Sequence, residues 1–149
     1  MIIIEKSDVY SAESSHLIEK LSSELASITG DCGRRNFTAG SLGTEGALWV
    51  LARNERGEAV GCGALRPLTT GIAEVKRMYS DRSQAGIGNA LLSFMETSAR
   101  ELGYAELWLE TRQINRRAVR FYQSNGYRLI ENYGPYLGRE EAICFAKTL

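Results

Sequence analysis

Apolar positions change their spacing along the chain in a way that marks out strands and helices. Met1-Ile2-Ile3-Ile4 is a short apolar run that stops at Glu5-Lys6, the pattern of a first strand and far short of a signal-peptide core or a membrane span. From Ser11 to Ser27, Leu17, Ile18, Leu21 and Leu25 recur at helical spacing, with Gly30 placed to stop an amphipathic helix. Asp31 to Gly46 is polar and glycine-rich, with Arg34, Arg35 and Phe37 inside it. It reads as a long loop or short irregular helix of the kind that contacts substrate. Ala47 to Arg53 and Ala59 to Arg66, joined by Asn54-Glu55-Arg56-Gly57, predict an antiparallel hairpin. Gly61 and Gly63 within its second strand mark a bulge or the close approach of another backbone. After the turn Thr69-Thr70-Gly71, Ile72 to Tyr79 predicts a third strand of the meander.

The period then lengthens again. A second helix is predicted from Gly88 to Leu102, with Ala90, Leu91, Phe94, Met95, Ser98 and Leu102 along one face and Gly103 closing it. Tyr104 to Thr111 holds Leu107, Trp108 and Leu109, a short buried strand that a helical crossover sets parallel to the strand of Val75. Asn115 is the N-cap of a last helix carrying Ala118, Phe121 and Tyr122 and ending at Asn125-Gly126. Tyr127 to Ile130 and Ala142 to Thr148 make two closing strands around a loop, Glu131 to Glu141.

Composition narrows what such a chain can do. Its 149 residues fit one domain over 1–149, and 18 Lys and Arg balance 18 Asp and Glu, so the overall field favours neither nucleic acid nor a membrane surface. Cys32, Cys62 and Cys144 are odd in number and lack Cys-x-x-Cys spacing, which argues against a disulfide framework or a zinc site and makes the cytoplasm the default location. His16 is the single histidine, so no histidine triad or histidine metal cluster can form, and no metal is expected. Any anion site must be local. Gly86-Ile87-Gly88 opens a helix whose first amides have no partner of their own, an arrangement that attracts phosphate although it is weak evidence alone. Arg116 and Arg117 sit in the first turn of the last helix, where the dipole disfavours cations by about 0.3–1 kcal/mol each unless anions are near. The Tyr122 ring is expected either to fill the core or to aim its hydroxyl into the cleft below the strand ends.

The arrangement Asn115-x-x-Ala118-x-x-Phe121-Tyr122-x-x-x-Gly126-Tyr127, following Gly86-Ile87-Gly88 and the strand Leu107-Trp108-Leu109-Glu110-Thr111, resembles the GNAT superfamily of acyl-CoA-dependent N-acyltransferases. The resemblance implies an α/β (α+β) fold: a mixed, mostly antiparallel sheet of six to seven strands flanked by about four helices. That sheet is splayed at its centre between the strands of Val75 and Leu109, with the pantetheine arm of acetyl-CoA in the splay. It implies that the backbone of Met78 and Tyr79 binds the pantetheine. The turn Ser83, Gln84, Ala85, Gly86, Ile87, Gly88, Asn89 and Ala90 would hold the pyrophosphate, Asn115 and Ala118 would meet the arm, and Tyr122 would be general acid at the sulfur. The family usually has Gln or Arg where this chain has Ser83, so Arg82 or Gln84 on either side, or backbone donors alone, must make up for it.

The implied chemistry is direct attack of an amine on a thioester, which needs no nucleophilic side chain but does need a base, since an alkyl ammonium holds its proton to a pKa near about 10.4. Glu74 aligns with a base used in some members. It alternates with Val75, so one of the two is expected to face the core, and its alternative is a surface pairing with Lys76 or Arg77. Glu110 is the second candidate. Cys62 and Cys144 lie in apolar strand patterns that suit structural burial. The sequence therefore predicts an N-acetyltransferase acting on a small-molecule primary amine. The alternative is a catalytically silent CoA-binding module of the same fold. Arg34 and Arg35 suit an acidic acceptor and Glu74 and Glu110 a cationic one, and homodimerisation, frequent in the family, is left open.

Overall fold

The computed structural model describes residues 1–33 and 37–149, so Arg34 and Arg35 lie outside the described residues. Seven strands form one sheet in the order β1 (Ile3–Lys6), β2 (Leu48–Arg53), β3 (Ala59–Thr69), β4 (Ile72–Ser80), β5 (Glu106–Arg112), β7 (Ala142–Thr148) and β6 (Arg128–Ile130). Every pairing is antiparallel except β4 with β5, the pair joined through a helix, as the crossover predicts. Among the described residues, three α-helices flank the sheet: α1 (Ala12–Thr29), α2 (Ile87–Glu101) and α3 (Arg116–Ser124). The family resemblance implies about four. The two segments that could have supplied another are short in apolar spacing and rich in glycine, and among the described residues each makes only a 3₁₀ turn, at Ala39–Gly43 and Gly134–Tyr136.

Both faces of the sheet are covered. On one, Leu91, Leu92 and Met95 of α2 and Tyr122 of α3 pack with Val75, Leu107, Leu109 and Phe145. On the other, Leu17 of α1 packs on Trp49, Leu51, Cys62 and Ala64, and the Trp49 indole donates to Ser14 Oγ at 2.8 Å. Beyond α1, Tyr136 covers Ala142 and Cys144 on that second face. Coverage of both faces thus buries almost every side chain of β2 and most of β3.

Two local features open the sheet at its centre. Register slips between β3 and β4 so that Cys62 pairs with Tyr79 but Ala64 with Lys76, leaving Arg77 and Met78 opposite the single residue Gly63. This is a β-bulge, and its first residue, Arg77, sits at φ 53°, a left-handed conformation that costs an L-residue about 1–2 kcal/mol. The side chain holds it there: the guanidinium donates to Ile18 O and Ser22 Oγ on α1 and to Cys32 O, and lies 5.6 Å from the Phe37 ring. Beyond the bulge β4 bends away from β5, whose pairing with it ends at Glu74 and Trp108. Opposite, α2 lies close on β3 because two positions carry no side chain. A Cβ on Gly61 would stand 2.7 Å from Tyr79 O and 2.9 Å from both Ile87 and Leu91, and one on Gly63 2.7 Å from Met95 Sδ.

Gly61→Ala therefore has to displace backbone at the bulge as well as α2. Urea unfolding is expected to show a loss of about 1–3 kcal/mol, and an unchanged midpoint would mean that the helix-to-sheet contact is looser than described.

Candidate active site

The wedge between the diverging ends of β4 and β5 is a cavity of about 630 Å³. Its β4 wall is Met78 and Tyr79, and its α3 wall is Asn115, Ala118 and Tyr122. Gln84, Ala85, Gly86, Ile87, Gly88 and Asn89 form its mouth. Of the expected cofactor residues, Ser83 and Ala90 do not line it. Ser83 turns away because both its N–H and its hydroxyl donate to Asp81 Oδ1, at 2.9 and 2.6 Å. Ala90 N–H donates to Gly86 O at 2.9 Å and closes the first turn of α2.

That turn leaves the amides of Ile87, Gly88 and Asn89 ahead of the first helical bond. α1 and α3 satisfy such donors with the side chains of Ser11 and Asn115, whereas the N-cap of α2 is Gly86, at φ 88° and with no side chain to offer. Nothing stands within 4 Å of where a Gly86 Cβ would be. Open space, unsatisfied donors and the positive helix end together make an anion cradle of the size of a phosphate. Two guanidinium groups flank the mouth. Arg82, also left-handed at φ 58°, pairs with Glu24 of α1 at 2.7 Å, and Arg117 stands 4.0 Å from the same Glu24 oxygen. The arginine in the first turn of α3 thus has its anion. Arg82 and Gln84, the neighbours of Ser83, both line the cavity.

Deeper in the wedge, the Tyr122 ring packs edge-on against Phe121 and Tyr127, at 5.1 and 5.6 Å, so it fills the core and borders the cavity at once. Its hydroxyl makes no hydrogen bond among the described residues, and burial pushes its pKa up, so it stays protonated. The two candidate carboxylates differ. Glu74 is 1% exposed and is not part of the cavity wall. One of its oxygens takes Arg66 at 2.8 Å, and the other accepts from Tyr133 at 2.6 Å. Both Glu74 and Val75 are buried, on opposite faces, because the Tyr133 loop covers the face that the sequence left to solvent. Its partner is Arg66, with Lys76 at 3.9 Å, while Arg77 turns to α1.

Glu110, on β5, does border the cavity. Arg112 Nε stands 3.6 Å from Oε2, outside hydrogen-bond range, and that buried oxygen has no hydrogen-bond partner among the described residues. Arg112 is itself held by Asp31 at 3.0 Å. Burial raises the Glu110 pKa, with Arg112 and then Lys76 pulling the other way. Among the cavity residues that sequence reasoning did not place in the site are Lys76 and Tyr136, whose Nζ and hydroxyl are 2.8 Å apart. Lys76 was within reach of the sequence, since it alternates onto the same face as Glu74. Tyr136 was not, because it stands in a loop with no period.

A family model for the GNAT acetyltransferases, described as the acetyltransferase (GNAT) family, matches residues 15–127. The chain belongs to that family. Among its relatives, an IAA acetyltransferase of Azospirillum brasilense is 31% identical over 132 residues, 87% of this chain and 73% of that protein. An Escherichia coli K12 [ribosomal protein bS18]-alanine N-acetyltransferase is 39% identical over 70 residues, 44% of this chain. The chain spans about half the length of some curated relatives it matches, 47% of that enzyme and 55% of a Schizosaccharomyces pombe N-acetyltransferase. A solved structure assigned as an acyl-CoA N-acyltransferase, from Klebsiella pneumoniae subsp. pneumoniae MGH 78578, superposes with TM-score 0.84 at 27% identity, over 100% of this chain and 98% of that one. The seven-stranded open sheet is thus the GNAT fold. No helix among the described residues is long and apolar enough to cross a membrane.

The raised Glu110 pKa has a consequence for stability. The folded chain holds this proton more tightly than the unfolded chain, so the carboxylate costs nothing at low pH. It becomes a penalty as pH rises from the unfolded value, about 4.3, through the higher folded one. Glu110→Gln removes that penalty. Its stability relative to the parent is expected to climb across that interval and level off above it; parallel stability curves from acid to neutral pH would place the carboxylate in ordinary solvent.

Proposed function

We propose that the chain transfers the acetyl group of acetyl-CoA to the primary amine of a small molecule. The observation that carries this reading is that an unbonded carboxylate, Glu110, and an unbonded hydroxyl, Tyr122, border one cavity whose mouth is the uncapped end of α2. When bound, acetyl-CoA supplies the activated thioester. The amides of Ile87, Gly88 and Asn89 would hold its pyrophosphate, with Arg82 or Gln84 in the role that Ser83 does not fill. The free edge of Met78 and Tyr79 would pair with the pantetheine amides as another strand would, and Asn115 and Ala118 would border the arm. The match to an acyl-CoA N-acyltransferase at 27% identity supports this assignment of the wedge.

Glu110 is the residue for the base. The acceptor arrives as an ammonium, which a carboxylate in a partly dry site attracts, and a carboxyl with a raised pKa is the better match for its proton. Glu110 first takes one proton from the ammonium, which frees the nitrogen lone pair. As that nitrogen bonds to the acyl carbon and the carbon–sulfur bond breaks, Tyr122 gives its proton to the departing sulfur, and the second nitrogen proton leaves to water, from which Tyr122 is reprotonated while Glu110 releases its own. Glu74 is the poorer candidate, since Arg66 and Tyr133 occupy both of its oxygens. Its proposed role is to fix the Tyr133 loop on the sheet. The relatives include both an IAA acetyltransferase and an acetyltransferase of a ribosomal protein, so they point both to a small acceptor and to a protein one. A walled cavity bounded by α1 and Tyr136 favours the small molecule. Cys62 and Cys144 are buried thiols, with pKa values pushed up to about 12 and about 11, inert as nucleophiles and suited to a reducing, cytoplasmic setting.

Thiol release from acetyl-CoA across a panel of amines tests the reading. Tyr122→Phe is expected to lower kcat about 100-fold with little change in KM for acetyl-CoA. Glu110→Gln should abolish the acidic limb of the kcat/KM profile. Retention of full kcat by Tyr122→Phe removes it from the acid role, and CoA binding with no thiol release on any amine turns the chain into a silent CoA-binding module.

A further inference from the structure

The acceptor half of the cavity holds a second polar pair besides the catalytic one, and the sheet register fixes its relation to Glu110. The last paired residues of β4 and β5 are Glu74 and Trp108. Two residues further along each strand stand Lys76 and Glu110, at matched positions on the same face but on arms that have begun to diverge. In a continuous sheet, opposite charges so placed would meet. Here no ion pair within 4 Å joins them, and both line the wedge.

Lys76 is short of acceptors. Its ammonium carries three donors, of which one reaches the Tyr136 hydroxyl at 2.8 Å. The Glu74 oxygen at 3.9 Å is beyond hydrogen-bond range and already bound to Arg66. Tyr136, 2% exposed, accepts from Lys76 and gives its own hydrogen to no group among the described residues. A cation donating into a phenol makes that phenol a stronger donor. Lys76 on the β4 arm and Tyr136 in the turn beside it thus present donors without acceptors, and on the β5 arm Glu110 lines the wedge with its Oε2 short of a hydrogen-bond donor. A partly buried ammonium and a partly buried carboxylate held apart each cost some free energy that a ligand bearing the opposite group would offset. Along α1, Leu21, Leu25 and Ile28 give the same half an apolar wall.

We propose that the acceptor is a zwitterion of the α-amino acid class with an apolar side chain: its amine on Glu110, its carboxylate on Lys76 and Tyr136, and its side chain against Leu21, Leu25 and Ile28. This rests on the acetyl-transfer reading. A carboxylate suits the pair better than an amide carbonyl because a charged donor gains most from a charged acceptor.

The test measures thiol release for leucine, methionine and phenylalanine, each beside its decarboxylated amine and its carboxamide, with kcat/KM corrected for the fraction of free amine. The expected order puts each amino acid about 10- to 100-fold above its amine, the amide between them. Lys76→Gln and Tyr136→Phe should shrink that ratio towards about one, mainly through KM for the amino acid. If either variant fails to fold, the comparison with the unmodified chain decides alone. Amines accepted as well as amino acids, or a ratio that both variants preserve, would overturn the inference while leaving acetyl transfer intact. Carboxamides accepted best would also overturn it, in favour of a peptide amino terminus. No thiol release from any of the nine, with release from other amines of the wider panel, would overturn this inference alone, and bound CoA with no release from any amine would overturn the acetyl-transfer reading and this one with it.

Discussion

The left-handed turn at Arg77 is the constraint on which the wedge depends. The pairing of β4 with β5 ends at Glu74 and Trp108, and the bulge just beyond carries β4 further from β5, so that the cavity between them stays open. The backbone strain of one non-glycine residue is held in place from outside the sheet, by a guanidinium that ties β4 to Ile18 and Ser22 of α1 and to Cys32 beyond it. On the opposite face the absence of side chains at Gly61 and Gly63 lets α2 follow the bend and bring its first turn to the mouth of the wedge. One helix thus fixes the bulge and another exploits it.

This division explains how the site gathers its parts. The donors at the mouth come from backbone and need only the helix end to be in place. The groups deeper in come from three separate elements, Lys76 on β4, Glu110 on β5 and Tyr122 on α3, and only the divergence of the strands keeps them open to a common space. Where the sheet remains paired, its charged side chains find each other instead. Glu74 with Arg66 and Tyr133 is the nearest example, one step back along the same strand.

Much of the framework was legible in the sequence because it follows from local pattern. The apolar runs of β2 and β3, the helical period of α1 and α2, Asn115 as a cap, and the crossover that makes β4 and β5 parallel all follow from local pattern. Gly61 and Gly63 announced the close approach that α2 makes. Less legible was anything set by a loop folding back. Glu74 was expected to be shielded or exposed according to its strand parity, yet both parities are buried, since a segment without periodicity, around Tyr133 and Tyr136, lies over the second face. Tyr136 could not be placed for the same reason. Glu24, on α1, reaches Arg82 across more than fifty residues of chain, a pairing that no spacing rule encodes.

The bare beginning of α2 also says something about how this molecule holds itself together. Ser11 and Asn115 complete their helices from within the chain, at a worth of about 1 kcal/mol each in typical cases. α2, which supplies Leu91, Leu92 and Met95 to the larger core, has no such residue. Its last missing bonds must come from outside. An anion settling on Ile87, Gly88 and Asn89 would finish a piece of the fold at the end nearest the wedge. Occupancy and stability would then rise together, because a ligand held only by the folded chain favours folding.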